Sequence, residues 1–580
     1  MKIIGRLWWF FKLEKKRYIL GIFALSLVSV TNLLPPIAIG NIVDSIASQQ
    51  LTHGDLFKNL MLLIASAFAM YYLRYVWRKY ILGTASRLGR LLRTQLFVHF
   101  TKMPPAFYQK YRTGDLMAHA TNDINALTQL AGGGVMSAVD ASITALVTLL
   151  TMFFMLSWKL TLIAILPLPF MAWATNRLSY RLHLAFKDSQ MAFSELNNTV
   201  QESVSGIKVT KSFGYQKAET ENFAKINQYV FRKNMKTAAH NTLFQPVTLL
   251  FLGASYTLTL LFGGYLIQQG EFTLGELITF MTYLDMLVWP LNAVGWLFNI
   301  MQRGSVSYNR IMNVLSEKSD VVEAEHPISH IKNGKLNFHI DQFAYQHEPV
   351  LRHIDFSLEA GKTLGIVGQT GSGKTTLLKL LLREIDVIDG AITLDGHNIK
   401  EYRLHDLRRL MGYVPQESLL FATSIAQNIS FGDVTMSQDV IQENAKLTQI
   451  YDDIVAMEHG FDTVIGERGV SLSGGQKQRI AISRALALNP DILLLDDSLS
   501  AVDAKTEDRI LTNLKENRSG KTTIITAHRL SAVIHADLII VLQGGRIIER
   551  GTHDELIREK GWYYTTYQSQ KLEDERSYHD

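Results

Sequence analysis

The sequence predicts an α-helical membrane domain with six spanning helices, followed by an α/β domain. Long apolar stretches recur through the first 300 residues, and none follows Met301. From about residue 335 onward, short β-rich runs alternate with helical segments, which is typical of a largely parallel sheet. The 580 residues are 47% hydrophobic and their mean hydropathy is slightly positive, which together with the long apolar stretches indicates a membrane portion.

Six stretches are long enough to cross a bilayer, since a spanning helix needs ~20 apolar residues. Lys and Arg gather before the first stretch and after the second, fourth and sixth, whereas the other connections are short and poor in positive charge. By the positive-inside rule, the N-terminus and everything after residue 301 are expected to be cytoplasmic. We expect a multi-pass protein of a bacterial plasma membrane. The expected spans are residues 18–43, 57–77, 135–157, 160–176, 246–268 and 274–300.

Composition argues against several other classes. The net charge of +5 does not indicate a nucleic-acid partner, because the basic residues lie between apolar runs rather than together on one folded surface. The absence of cysteine excludes disulfides, thiolate metal sites and a cysteine nucleophile. The N-terminal "MKIIGRLWWFFKLEKKRY" has no small-residue cleavage site after the first apolar run. It is therefore interpreted as an interfacial anchor, not a signal peptide.

The connections at residues 78–134 and 177–245 are far longer than most loops and are rich in helix formers. We expect them to continue the spanning helices into the cytoplasm, with the short polar turns "YRTGDLMAHATND" and "KSFGYQKAET" at their tips. The expected organisation is a transmembrane domain with these extensions at residues 1–314, a polar linker at 315–334 and an α/β domain at 335–580.

A glycine-rich motif identifies the α/β domain as a P-loop nucleotide-binding domain. The stretch "GIVGQTGSGKTTLL" lies between an apolar strand and a helix, which is the context that a phosphate loop requires. Its glycines let backbone N–H groups approach phosphates, its lysine bridges the outer phosphates, and its threonine hydroxyl is suited to ligate Mg²⁺. The expected nucleotide-binding residues are Gly368, Gln369, Thr370, Gly371, Ser372, Gly373, Lys374, Thr375 and Thr376.

Acidic and polar residues follow other predicted strands. "DILLLDD" predicts a buried strand that ends at Asp496, where a carboxylate can hold Mg²⁺ through water, while Asp497 is placed to orient the attacking water. Gln416 in "GYVPQE" and His528 in "TIITAHR" also follow strands and are expected to reach the γ-phosphate. The predicted catalytic residues are Asp497, His528 and Gln416. The predicted metal site consists of Thr375, Gln416 and Asp496.

A second phosphate-binding signal lies in "LSGGQKQR", where a serine followed by two glycines opens a helix and offers N–H donors and a hydroxyl. The chain's own phosphate loop already accounts for its own nucleotide. At these residues the chain resembles an ATP-binding cassette (ABC) exporter half-transporter. The resemblance covers essentially the full length, with the motifs in the family order. Other matching segments are "FAYQ", "GERGVSLSGGQ", "SAVD", "SWKLTL" and "ESVSGIKVTKSF".

The resemblance implies that two ATP molecules are sandwiched between two cassettes. Tyr345 would stack on adenine, and Asp503 would contact the opposite cassette. Coupling helices around Asp115–Asp123 and Phe213–Thr220 would dock on the cassettes. The implied activity is ATP hydrolysis that drives multidrug efflux of hydrophobic or amphipathic compounds. The signature residues that would complete the opposite subunit's ATP site are Ser473, Gly474, Gly475 and Gln476.

The chain departs from the family at Asp497, where members that hydrolyse ATP efficiently carry glutamate. Losing one methylene withdraws the carboxylate by ~1.5 Å, against a hydrogen-bond reach of ~2.6 to 3.2 Å. A misplacement of about 1 Å can cost roughly a hundredfold in rate. We therefore expect a site that binds ATP but hydrolyses it slowly, in a heterodimer whose second half-transporter supplies the glutamate. The alternative is a homodimer in which Asp497 functions.

The transport path is less defined by the sequence. Large or aromatic side chains in the sixth span, Tyr283, Met286, Trp289 and Phe298, are candidates for a loosely specific wall, and helix packing or lipid contact is the other interpretation. Asp140 and Asp285 lie within apolar spans, where an ionisable group suggests a function: attraction of a cation, or an internal ion pair.

A lipid or lipopeptide flippase and an ATP-gated channel or regulator remain alternative functions. The expected partners are a second half-transporter, a hydrophobic small molecule and membrane lipid.

Overall fold

The computed structural model of the chain describes residues 2–329, 334–345, 348–466 and 472–577. Contacts divide it into two compact units. The first runs to Thr101 and resumes over Arg112–Glu317, and the second combines Lys102–Tyr111 with the residues from Lys318 onward.

The first unit is helical and contains six helical stretches that are long and apolar enough to cross a membrane. Each matches one of the expected spans, although the third ends one residue before the expected bound at 157, so the prediction of six spanning helices is confirmed. Four of the six stretches exceed 43 residues, and the helices therefore continue well beyond the ~20 residues that a bilayer needs. The stretches are Lys15–Ala47, His53–Lys102, Thr113–Leu156, Trp158–Ser205, Gln216–Gln268 and Leu274–Ser316.

Proline sets several breaks within these stretches. The first is interrupted at Asn32 and Leu33, just before Pro35 and Pro36, and the fourth at Leu166, just before Pro167. Proline has no N–H to donate and its ring clashes with the preceding turn, so it is tolerated only where a helix begins. The helices of this unit are Lys2–Arg6, Trp8–Leu13, Lys15–Thr31, Leu34–Ala47, His53–Lys102, Thr113–Ala118, Ile124–Gln129, Val135–Thr151, Trp158–Ile165, Pro167–Ser205, Ile207–Ser212, Gln216–Thr242, Phe244–Gln268, Leu274–Met286 and Val288–Ser316, with π-helical turns at His119–Asp123, Leu130–Gly134 and Met152–Leu156.

The first expected tip differs from the structure. The polar turn was expected at residues 111–123, but the chain is helical again from Thr113, and residues 115–123 lie within helix and π-helix. One break comes earlier, at Met103 and Pro104, because prolines at 104 and 105 end the preceding helix. A short helix, Pro105–Lys110, follows and is grouped with the second unit. A second break lies at Tyr111 and Arg112, at the start of the expected turn. The second expected tip coincides with a turn at Phe213–Tyr215 between two helices.

The second unit is an α/β domain with two sheets, as the sequence predicts. The larger sheet has the order β10-β9-β3-β8-β7-β6 and is parallel except for its β9–β10 edge. A smaller antiparallel sheet has the order β2-β1-β4-β5 and was not distinguished by the sequence. The strands are β1 Leu336–Ala344, β2 Pro349–Leu358, β3 Thr363–Gly368, β4 Asp389–Leu394, β5 His397–Asn398, β6 Met411–Val414, β7 Ile492–Asp496, β8 Thr522–Ala527, β9 Leu538–Gln543 and β10 Arg546–Gly551.

The segment after the sixth spanning stretch packs on this domain, although it was expected to be a polar linker. The backbone N–H of Ile328 donates to the Glu401 carbonyl at 2.9 Å, and the fully buried Arg383 donates to the Val322 carbonyl at 3.0 Å.

The helices of the second unit are Pro105–Lys110, Lys374–Leu381, Leu404–Arg409, Ile425–Ile429, Gln438–Leu447, Tyr451–Val455, Gly474–Ala487, Ala504–Asn517, His553–Glu559 and Trp562–Ser577.

Candidate nucleotide-binding site

The predicted site residues converge at one edge of the larger sheet. The neighbouring parallel strands β3, β8, β7 and β6 lead at their carboxyl ends into the phosphate loop, His528, the aspartate pair and Gln416 respectively. Ligands of open α/β sheets bind at this edge. A cleft of about 240 Å³ lies here, lined by Val350, Thr370, Gly371, Ser372, Gly373, Lys374, Thr375, Thr376, Gln416, Asp496, Asp497, Thr526 and His528.

The phosphate loop adopts a conformation that side chains would obstruct. Gly368 and Gly373 have φ angles of +148° and +104°. A Cβ atom would lie 2.1 Å from the Leu542 carbonyl oxygen at Gly368 and 2.6 Å from Leu351 Cδ2 at Gly373. The Ser372 hydroxyl is buried without a hydrogen-bond partner among the described residues. The bare backbone and this free donor fit a bound phosphate chain.

Lys374 is buried inside the loop. Its Nζ donates to the carbonyls of Gly368 at 2.8 Å and Gln369 at 3.1 Å. Burial lowers the pKa of Lys374, and the nearby carboxylates of Asp497 and Asp496 partly offset this effect. An ammonium that has lost much of its water is suited to bind the outer phosphates of a nucleotide.

Asp496 is buried and surrounded by hydroxyl groups. Its Oδ1 accepts from Thr526 Oγ1 at 2.7 Å and from Thr375 Oγ1 at 3.0 Å, while its Oδ2 accepts from the Tyr413 hydroxyl at 3.4 Å. Burial, and then the charge of Asp496, raise the pKa of Tyr413, so this phenol remains a donor. Sequence reasoning missed Thr526 and Tyr413, although both lie on strands next to β7.

These groups fit a magnesium ion that arrives with a nucleotide. No cluster of three or more acidic or histidine side chains suited to a metal occurs in the part of the chain that the structure describes. Mg²⁺ is usually held by one or two carboxylates, with phosphates and water completing its shell. Thr375, Gln416 and Asp496, which all line this cleft, would hold the ion, whose charge would neutralise the phosphates.

Asp497 has an unusual backbone conformation, with a φ angle of +46°. Its N–H donates to the Thr526 carbonyl at 3.0 Å and to Thr526 Oγ1 at 3.1 Å, which hold it there. Aspartate tolerates this left-handed region better than most residues. Gln416 Nε2 lies 3.5 Å from Asp497 Oδ2. Two of the predicted catalytic side chains are therefore adjacent, and His528 lines the same cleft.

Tyr345 lies beside the phosphate loop. Its hydroxyl is 3.1 Å from Thr376 Oγ1, and its ring makes an edge contact with Phe343 at a centroid distance of 5.3 Å. The side chain is 44% exposed. Part of Tyr345 is accordingly accessible, which the predicted stacking on a planar base requires.

The signature residues do not line this cleft. Ser473 caps the helix Gly474–Ala487, and its hydroxyl accepts from the Gln476 N–H at 3.2 Å. Asp503 caps the helix Ala504–Asn517 by accepting from the Thr506 N–H at 3.0 Å, and this hydrogen bond lowers the pKa of Asp503. The predicted exporter-specific loop lies partly at residues 467–471, outside the described residues.

In the membrane unit, the predicted wall residues separate into two groups. Tyr283 is fully buried and donates to the Leu33 carbonyl at 2.8 Å, so it belongs to the packed core. Trp289 and Phe298 are at least half exposed. Trp289 Nε1 donates to Asp140 Oδ2 at 3.1 Å and joins the third span to the sixth.

Comparisons with known proteins agree with both units. The chain matches the family "ABC transporter transmembrane region" over residues 18–291 and the family "ABC transporter" over residues 351–500. It is 42% identical over 572 residues to the "Probable multidrug resistance ABC transporter ATP-binding/permease protein YheI" of Bacillus subtilis, covering 98% of each chain. It is 40% identical over 575 residues to the "Multidrug resistance-like ATP-binding protein MdlA" of Escherichia coli, covering 99% of this chain and 97% of that protein.

More distant relatives include an "ATP-dependent lipid A-core flippase" of Syntrophus aciditrophicus, which is 34% identical over 484 residues, covering 83% of this chain and 80% of that protein. The solved structure of "a bacterial Atm1-family ABC exporter with ATP bound" matches with a TM-score of 0.79 and 26% identity, covering 96% of this chain and 98% of that chain. The chain therefore belongs to the ABC transporters, and it is an exporter that carries a transmembrane region and an ATP-binding cassette in one polypeptide.

Proposed function

We propose that the chain is one half of a heterodimeric exporter that uses ATP to expel hydrophobic or amphipathic compounds, including multiple drugs, from the cytoplasm of a bacterium. Its N-terminus and cassette would be cytoplasmic. Six spans and one cassette support a half-transporter that requires a second chain. Because a ligand shifts a conformational equilibrium only through differential affinity, ATP would act by binding the closed pair of cassettes more tightly than the separated pair.

The single observation that carries the heterodimer proposal is Asp497. Its short side chain follows the buried Asp496, and its backbone is held by two hydrogen bonds to Thr526. The carboxylate cannot advance by a backbone shift without breaking them. This chain's own phosphate loop would therefore bind ATP and Mg²⁺ but hydrolyse ATP slowly, while Ser473 and its neighbours complete a faster site on the partner chain.

The test uses the transporter reconstituted with its partner chain, with Asp497→Glu and Asp497→Asn as a matched pair. At this chain's site, Asp497→Glu should raise single-turnover hydrolysis by about a hundredfold, the factor that a misplacement of about 1 Å costs. Asp497→Asn should leave steady-state ATP hydrolysis within about twofold. No gain with glutamate, or loss of nearly all hydrolysis with asparagine, would contradict the slow site.

Asp497→Asn also distinguishes the homodimer, because two identical sites that depend on Asp497 would both fail.

The 34% identity to a flippase keeps a lipid or lipopeptide substrate as the second candidate. Transport of a fluorescent drug against its gradient in vesicles favours drug export, and lipid translocation without drug transport favours the flippase. Conductance down a gradient would instead indicate a channel.

A further inference from the structure

An apolar cavity of about 480 Å³ lies beside the N-terminal end of the first span. Its walls come from the N-terminal helices and from the first, third and sixth spans. Lys15 is the only charged residue in its lining. The lining residues are Ile4, Leu7, Trp8, Phe11, Lys15, Tyr18, Ile19, Ile22, Leu130, Gly134, Val135, Ala138, Val139, Leu297 and Met301.

The cavity has a packed floor and an open side. Tyr18 is buried and donates to the Ala131 carbonyl at 2.9 Å, which ties the first span to the third. Ala138 contributes only a small side chain to its wall, which leaves room between the helices. On the other side, Trp8 and Ile19 are 62% and 65% exposed.

An exposed cationic group, Lys15, lines the cavity. Lys12, Lys15 and Lys16 have no ion pair among the described residues, whereas neighbouring Arg17 pairs with Glu14 at 3.2 Å. Lys15 is the first residue of the first spanning stretch, which places it at headgroup depth. Because the chain crosses the membrane six times, Lys15 lies on the same side of the membrane as the segment that leads into the cassette.

We infer that this cavity binds a phospholipid with an anionic headgroup, from the leaflet on the cassette side of the membrane. One acyl chain would fill the apolar walls, and the phosphate would lie at Lys15. Basic pockets between spanning helices on the cytoplasmic side favour such lipids, and each buried methylene adds to binding. The other polar groups in the lining are the hydroxyl of Tyr18, which is already bonded, and the indole N–H of Trp8, so Lys15 is the charged group that a headgroup would meet.

The experiment places the transporter, with its partner chain, in phosphatidylcholine nanodiscs that contain spin-labelled phosphatidylglycerol, and measures the immobilised fraction. Lys15→Gln should raise the phosphatidylglycerol needed for half-occupancy about fivefold, the contribution of one lysine near the surface. Lys16→Gln removes the same charge from a residue outside the lining. It should change the phosphatidylglycerol needed for half-occupancy by less than about twofold. Equal shifts from the two variants would overturn the site.

A second pair tests the apolar part. Ala138→Phe should abolish the immobilised fraction by filling the cavity, whereas Leu146→Phe, on the exposed face of the same helix, should preserve it. Retention of the lipid by Ala138→Phe would overturn the inference. Displacement of the lipid by a transported dye would also overturn it, since it would assign the cavity to substrate. None of these readouts depends on hydrolysis, so they are separable from the test of Asp497.

Discussion

Thr526 Oγ1 donates a hydrogen bond of 2.7 Å to Asp496 Oδ1, and the same oxygen lies 3.1 Å from the Asp497 N–H. One hydroxyl on β8 thus orients the carboxylate of Asp496, the predicted magnesium ligand, and fixes the backbone of Asp497, the residue that follows β7. Asp496 is almost fully buried, and its two carboxylate oxygens are oriented by the hydroxyl groups of Thr526, Thr375 and Tyr413.

Replacing Thr526 by valine keeps the volume and removes the donor to Asp496. A hydrogen bond to a charged group contributes about 1.5 to 3 kcal/mol, so the magnesium-dependent part of ATP affinity should fall at least about tenfold. Affinity without Mg²⁺ should stay within about twofold. Photoaffinity labelling of this chain with azido-ATP, with and without Mg²⁺, measures both. Thr523→Val on the same strand is the control, and equal losses with and without the ion would contradict the assigned role.

Lys374 gives a prediction for pH. Burial lowers its pKa, and only the ammonium form binds phosphate. ATP labelling of this chain should therefore weaken as pH rises through the lowered pKa, below the ordinary value of about 10.4. Lys374→Arg keeps its charge throughout, since a guanidinium group stays protonated over this pH range. Labelling of this variant, relative to its own value at neutral pH, should therefore not change with pH. Parallel curves for the two proteins would show that another group controls the decline.

The sequence predicted much of this site because its motifs report local geometry. The loop from Gly368 to Lys374 and the buried run before Asp496 each specify a strand end, and parallel strands bring those ends together. Thr526 was missed because its role depends on which strand lies beside β7, and strand order is a long-range property. The left-handed backbone of Asp497 was equally invisible, since the same letters also fit an ordinary turn.

Two glycines allow very close packing of the first and sixth spans, at the ends opposite Lys15 and Ser316. A Cβ atom on Gly275 would lie 2.0 Å from the Gly40 carbonyl oxygen and 2.5 Å from Asp44 Oδ2. Asp44 Oδ1 accepts from the Gly275 N–H at 2.7 Å. Gly275→Ala should therefore force the helices apart and destabilise the transporter by about 1 to 3 kcal/mol, as overpacking does.

The midpoint of thermal unfolding, followed by size-exclusion chromatography of the full transporter, measures this change. Gly264→Ala is the matched control, because a Cβ atom there meets nothing within 4 Å. A larger loss in the control than in Gly275→Ala would indicate that helix flexibility, not close packing, determines the result.

Asp140 and Trp289 form a polar contact between two spans. A carboxylate beside an accessible indole ring can attract an organic cation through charge and ring together. Asp140→Asn keeps an acceptor for the indole N–H and removes only the charge. We expect this substitution to raise the KM for a cationic dye about tenfold, which corresponds to ~1.4 kcal/mol. Two unit charges 4 Å apart attract each other by ~4 kcal/mol at an effective dielectric constant of 20, so the expected loss is a modest part of that energy. Transport of a neutral dye of similar size should change by less than about twofold. Asp285→Asn tests the other intramembrane carboxylate in the same assay. Equal effects of Asp140→Asn on both dyes would show that the aspartate supports the Trp289 contact and the helix packing, and does not recognise substrate charge.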